Sequence, residues 1–132
     1  MTLLRYLLDT NICIYILKNY PAKVRQKFES LEDDEVGLSS ICVAELLLGV
    51  QKNPDKNKHT KDFISNFKIL SFGVKEAITY AKIRSKLESA GCVIGSMDML
   101  IASVALANDL VLVTNNQKEF ARISNLKLQN WA

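Results

Sequence analysis

Histidine is almost missing from this sequence: His59 is the only one. It stands in the polar run NPDKNKHTKD. A Ser–His or Cys–His nucleophilic pair therefore has one poorly placed candidate, and a His-rich zinc site has none. Cysteine is scarce as well. Cys13, Cys42 and Cys92 are odd in number, show no CxxC spacing and lie among apolar residues. That excludes a disulfide or zinc framework and makes them small core residues. No apolar run is long enough to span a bilayer. The opening MTLLRYLL is broken by Arg5 and does not read as a signal peptide, so a cytoplasmic protein without membrane association is expected. Internal repeats and low-complexity segments are also lacking. The charge excess is small, +3 with an isoelectric point near 8.8. It is compatible with a polyanionic partner but falls short of a dedicated nucleic-acid tail.

What is present is a chain of 132 residues, 48% hydrophobic, enough for one core and one domain over 1–132. With nucleophilic pairs and zinc set aside, any catalysis must rest on carboxylates. The stretch LRYLLDTNICIYI, residues 4–16, supplies the first. An apolar strand runs into Asp9, and Thr10 and Asn11 begin a mostly apolar helix, so Asp9 stands at the carboxyl end of a first strand. In an open parallel α/β sheet that edge binds ligands, although Asp at this position also caps helices.

Asn19, Tyr20 and Pro21 break the chain before a short charged helix over Ala22 to Leu31. An acidic turn, Glu32 to Glu35, leads into a second strand, Val36 to Ser39. Ser39 or Ser40 caps a third helix, ICVAELLLGV, whose one charged group is Glu45. Glu45 shares its face with Ile41, Cys42, Leu48 and Gly49. A carboxylate so placed needs a partner or a metal, since burying it unpaired costs several kcal/mol. Gln51 to Asp62 reads as a solvated loop and helix start rich in lysine. Phe63, Ile64 and Phe67 bury the next helix, and Lys68 to Phe72 form a third strand. Lys75 to Ala90 is an amphipathic helix with Tyr80, Ile83, Leu87 and Ala90 in step, ended by Gly91.

Gly95 and Ser96 start a further helix in which Asp98 shares a face with Ile101, Ala102 and Ala105. The bland reading of Asp98 is favourable charge at a helix N-terminus. Leu110 to Thr114 is the clearest strand, of the kind found at the centre of a parallel sheet. Asn115, Asn116, Gln117, Lys118 and Glu119 follow it at the same edge as Asp9. The tail ends in an edge strand with Leu126 and Leu128 in alternation, anchored by Trp131.

Alternating strands and helices predict a three-layer α/β/α sandwich with a central, mostly parallel sheet. If Asp9, Glu45 and Asp98 converge at its carboxyl edge, their repulsion calls for a cation. Oxygen ligands favour Mg²⁺, with Mn²⁺ as the alternative. Such a site can deprotonate a water and neutralise a phosphodiester during in-line displacement. Lys52, Lys56, Lys82, Arg84 and Lys86 are the basic side chains available to grip a nucleic acid.

The motifs LLDTN (7–11), AEL (44–46), IGSMDMLIA (94–102) and VTNNQKEF (113–120) resemble those of PIN-domain ribonucleases, closely the VapC toxin type. The resemblance covers nearly the whole chain. It implies a metal-dependent endoribonuclease in which Asp9, Glu45 and Asp98 bind the metal, with Thr10 or Asn11 and Thr114 shaping the pocket. Many PIN domains carry a further Asp where this chain has Asn116, which brings no charge; Glu119 is the nearby acidic candidate. The resemblance further implies an RNA substrate, often a tRNA anticodon stem-loop, a homodimer, and silencing by a VapB-type antitoxin in a toxin–antitoxin hetero-oligomer. Two other readings compete. One is a phosphotransferase with Asp9 as nucleophile, whose second Asp would fall at Asn11. The other is an inactive PIN-fold binding module.

Overall fold

Five short apolar runs pair into one all-parallel sheet in the computed structural model, which describes residues 3–132. Met1 and Thr2 of the opening MTLLRYLL lie outside the described residues. The strands are β1 (Tyr6–Leu8), β2 (Val36–Ser39), β3 (Lys68–Leu70), β4 (Val111–Val113) and β5 (Lys127–Gln129), in the spatial order β3-β2-β1-β4-β5. Tyr6 pairs with Val36 on one side and with Val111 on the other. β1 is therefore the central strand. β4, expected at the centre, lies between β1 and the edge strand β5. Its continuous apolar run reports burial on both faces, which every interior strand of a parallel sheet shares.

Helices cover both faces. Strand residues alternate between them, so Tyr6, Leu8 and Val113 join one core and Leu7 and Leu112 the other. The first core is filled by Ile12, Cys13 and Ile16 of α1 (Thr10–Lys18), Val24 of α2 (Ala22–Glu29), Cys42 and Leu46 of α3 (Ser40–Lys52) and Phe63 of α4 (Asn57–Ile64). The second holds Ile83 and Leu87 of α5 (Val74–Ser89), Met99, Ile101, Ala102, Val104 and Ala105 of α6 (Ser96–Ala107) and Phe120 of α7 (Gln117–Phe120). The α/β/α sandwich is thus as expected. Trp131 closes the first core edge-on against Tyr6, with ring centroids 5.5 Å apart.

Some local expectations change. The 51–62 segment is more ordered than a loop: α3 runs to Lys52, a turn of 3-10 helix spans Pro54–Lys56, and α4 begins at Asn57. Thr60 and Phe63 bury one stripe of α4 while Lys58 and Asp62 pair on the wet side, which offsets its polar composition. Ala90 is exposed and leaves the core face of α5, because the chain has already turned toward Gly91 at φ +68°.

The sheet order places a topological switch at β1 and β4. From β1 the chain moves outward to β2 and β3, then returns to the other side of β1 for β4 and β5. The carboxyl ends of β1 and β4 consequently open onto a crevice between diverging connections. Asp9 follows the first of these ends, and Thr114 the second.

Candidate active site

Asp9 extends β1 by one residue, its N–H donating to the Val113 carbonyl at 2.9 Å, before the chain turns into α1. Its carboxylate is buried and accepts one hydrogen bond on each oxygen. Oδ1 accepts from the Thr10 N–H and Oδ2 from the Thr114 hydroxyl, each at 2.8 Å. Capping and site membership therefore coincide in one side chain. Thr114 is itself tied to β5 through its N–H on the Gln129 carbonyl, and its Oγ1 accepts from the Asn116 N–H at 3.0 Å. One hydroxyl thus locks Asp9 to the loop beyond β4.

Glu45 arrives from α3, which Ser39 caps by accepting from the Cys42 N–H. The Thr10 hydroxyl donates to Glu45 Oε1 at 2.6 Å, so Thr10 bridges the first two carboxylates. Glu45 is half-buried and has no arginine partner. Asp98 stands half-buried in the first turn of α6. Asn116 donates its amide N–H to Glu119 Oε2 at 3.0 Å, which leaves Oδ1 as the free acceptor of that side chain.

Asp9, Thr10, Asn11, Glu45, Asp98 and Asn116 line one cavity of about 310 Å³, closed on its apolar side by Ile14 and the exposed Leu48. The three acids singled out in the sequence all border this one cavity. Thr114 and Glu119 stand just behind, bonded to lining residues. The basic candidates lie elsewhere. Lys52 ends α3, and Lys56 borders a neighbouring groove beside Glu45. Arg84 turns along its own helix to Glu88 and the Tyr80 hydroxyl. Lys82 and Lys86 border a different pocket on α5. Sequence reasoning missed Leu48 as a cavity wall and the Asn115 amide donating to the Tyr15 hydroxyl at 2.7 Å, which ties the β4 loop to α1. Leu48 did have a signal, its position three residues after Glu45 on the same helix face; the Asn115–Tyr15 contact had none, since it depends on how the loop meets α1.

The electrostatics of the cavity are those of crowded acids. Burial pushes the Asp9 carboxyl above its ordinary range, the bonds from Thr114 and Thr10 pull back, and the charge of Glu45 adds to the rise. Asp98 is pushed up to about 6 by burial and then by the charges of Asp9, Glu45 and Glu119. Among the described residues, none of the ion pairs includes Asp9, Glu45, Asp98 or Glu119. The negative field is left uncompensated by the chain itself. An all-oxygen donor set of this kind fits a hard divalent cation. Among the described residues, no three metal-ligating side chains are drawn together into a closed cluster, so the acids face the cavity without a preformed cage.

The sequence and the fold recur in known proteins. A PIN-domain family model matches residues 6–126. The chain belongs to the PIN-domain family of VapC ribonucleases. It is 42% identical to ribonuclease VapC2 of Rickettsia felis over 96% of this chain and 97% of that one. It is 35% identical to the tRNA(fMet)-specific endonuclease VapC of Shigella flexneri over 98% of this chain and all of that one. Among solved structures it is similar to DNA-bound VapBC of Salmonella typhimurium, with TM-score 0.92, 36% identity and coverage of 98% of this chain and 100% of that one. VapBC2 of Rickettsia felis bound to a promoter DNA fragment gives TM-score 0.88 at 40% identity, over 98% of this chain and 100% of that one. No described helix is long and apolar enough to cross a membrane.

Proposed function

We propose that this PIN domain is a metal-dependent endoribonuclease toxin that cleaves tRNA and is held inactive by a VapB-type antitoxin. The observation that carries the reading is the meeting of Asp9, Glu45 and Asp98 around one cavity that the chain does not neutralise. A bound Mg²⁺ or Mn²⁺ would supply charge neutralisation at the scissile phosphate and a water acidic enough to attack it. Asp9, Glu45 and Asp98 would hold the ion. Thr10 and Thr114 hold Asp9 and Glu45 in place through hydroxyl bonds, and Glu119 orients the Asn116 amide. Those three residues, Thr10, Thr114 and Glu119, keep the donors aimed at the cavity while substrate exchanges.

The tRNA assignment is supported by the names of the Shigella and Salmonella relatives, both tRNA(fMet)-specific endonucleases. The antitoxin is supported by the VapBC complexes among the structural relatives and by a groove in this chain. An apolar groove of about 310 Å³ runs between α1, α3 and α4, walled by Leu17, Leu46 and Val50 with Lys18 and Lys56 on its rim. It shares Ile14 and Glu45 with the acidic cavity, so a segment seated there leads directly into the site. The phosphotransferase reading gains nothing: Asn11 lines the cavity without offering a second carboxylate near Asp9.

The test is cleavage of purified total tRNA by protein freed of copurifying antitoxin, comparing wild type with Asp9→Asn. A few discrete fragments from wild type, lost by at least about a hundredfold in the variant, are expected. Equal cleavage by both proteins would remove the site assignment.

A further inference from the structure

Resting on the nuclease reading, we propose a second RNA contact outside the acidic cavity: a phosphate-binding patch formed by Lys82, Lys86 and Arg122. These three cations border one pocket of about 260 Å³ whose floor is Ile83, Leu87 and Leu106. None of the three takes part in any ion pair among the described residues, whereas Arg84, between the two lysines on α5, is paired with Glu88. Two of the three are oriented by neutral groups. Lys86 Nζ donates to the Ser124 hydroxyl at 3.2 Å, and Arg122 Nη1 reaches the Cys92 carbonyl at 3.5 Å. Uncompensated charge held beside a hydroxyl suits phosphate oxygens.

The patch is connected to the active site by two short pieces of chain. Cys92, under Arg122, precedes Asp98 by six residues, and Arg122 follows Asn116 by six. Six residues span at most roughly 20 Å, so an RNA strand with its scissile bond at Asp98 reaches the patch within a few nucleotides. The need for such a grip follows from the active site itself. Its carboxylates repel a polyanion, and affinity must come from cations placed where they do not quench the site. An RNA phosphate is favoured over an acidic peptide because the three cations ring a pocket rather than line an extended groove.

The experiment is a salt titration of total tRNA binding in chelator, comparing wild type with a Lys82→Ala, Lys86→Ala, Arg122→Ala variant. All three side chains are exposed, so folding is retained; a Lys86→Arg, Arg122→Lys protein controls for shape. The patch predicts that affinity at low salt falls at least about tenfold. It also predicts that the slope of log K against log salt shrinks by roughly 2 to 3, the value for three lost phosphate contacts, with both restored in the charge-conserving control. Unchanged affinity and slope would overturn the patch. So would competition by polyglutamate matching that of tRNA at equal charge. Cleavage by the same proteins separates the two readings. A wild type that binds with the full slope yet cleaves no RNA defeats the nuclease reading and leaves the patch standing. Cleavage by wild type with no change of slope in the variant does the reverse.

Discussion

Asp98 carries a conflict between stability and function. Its folded carboxyl lies near 6 against an ordinary 3.8, so between about pH 4 and 6 the folded state holds a proton that the unfolded state has lost. Stability therefore falls as pH rises through that window, and above it the full cost is present. A shift of this size corresponds to roughly 3 kcal/mol, which half exposure to solvent reduces to about 1 kcal/mol. Asp98→Asn should accordingly raise the melting temperature of metal-free protein at pH 7 by about 3–5 °C, with no gain below pH 4, while eliminating cleavage. Melts in chelator across pH measure this; a variant less stable than wild type at pH 7 would show that Asp98 is not strained. Thr114 works in the opposite sense. Thr114→Val takes the donor from Asp9 Oδ2 and the acceptor from the Asn116 N–H, so a loss of about 1–3 kcal/mol and a 10- to 100-fold drop in kcat are expected. Thr114→Ser should restore both.

At the scale of elements, the site depends on the sheet holding its order. β2 and β3 approach closely at Gly37, where an added Cβ would stand 3.0 Å from Leu70 Cδ1 and 3.1 Å from the Lys68 carbonyl oxygen. Backbone cannot retreat there without loosening the ladder. Gly37→Ala should cost about 1–3 kcal/mol in urea unfolding; a neutral result would mean that β3 is free to shift. The elements also show how much could be read from the sequence. β2 was legible to the residue because acidic turn, apolar run and capping serine each mark a boundary. Asp9, Glu45 and Asp98 were legible as carboxylates on apolar helix faces or at a strand end, and their meeting was implied by a family resemblance that the fold bears out. What stayed hidden was tertiary. Glu76 is buried against Gly73 and Asn108, contacts 3 and 32 residues away, and nothing in its amphipathic surroundings marks it. Burial would raise the Glu76 carboxyl, but the Gly73 N–H and the Asn108 amide outweigh it and hold the group below its ordinary range. The helix expected to bury Phe63 begins earlier than its polar 57–62 residues suggest, at Asn57, since Thr60 and Phe63 find their stripe only once α3 is present.

For the whole molecule, the distribution of charge matters more than its small net value. Acids gather at the β1–β4 switch, while unpaired cations gather around the outer pocket of α5. A divalent cation would offset part of the negative charge of the first region and weaken its repulsion of a polyanion. Binding of that ion to the folded state alone should also stabilise the domain, by about 2.7 kcal/mol at a hundred times its Kd. The rise in melting temperature with Mg²⁺ or Mn²⁺ should vanish in Asp98→Asn.

The most direct measurement is the cleavage of purified total tRNA by chelator-treated, antitoxin-free protein as Mg²⁺ or Mn²⁺ is added back. A metal-charged acidic site predicts no cleavage in chelator and a few discrete fragments whose rate of appearance saturates with the same cation concentration as the rise in melting temperature. Fragments formed at full rate in chelator would contradict it, and so would a folded, metal-stabilised protein that leaves every RNA intact.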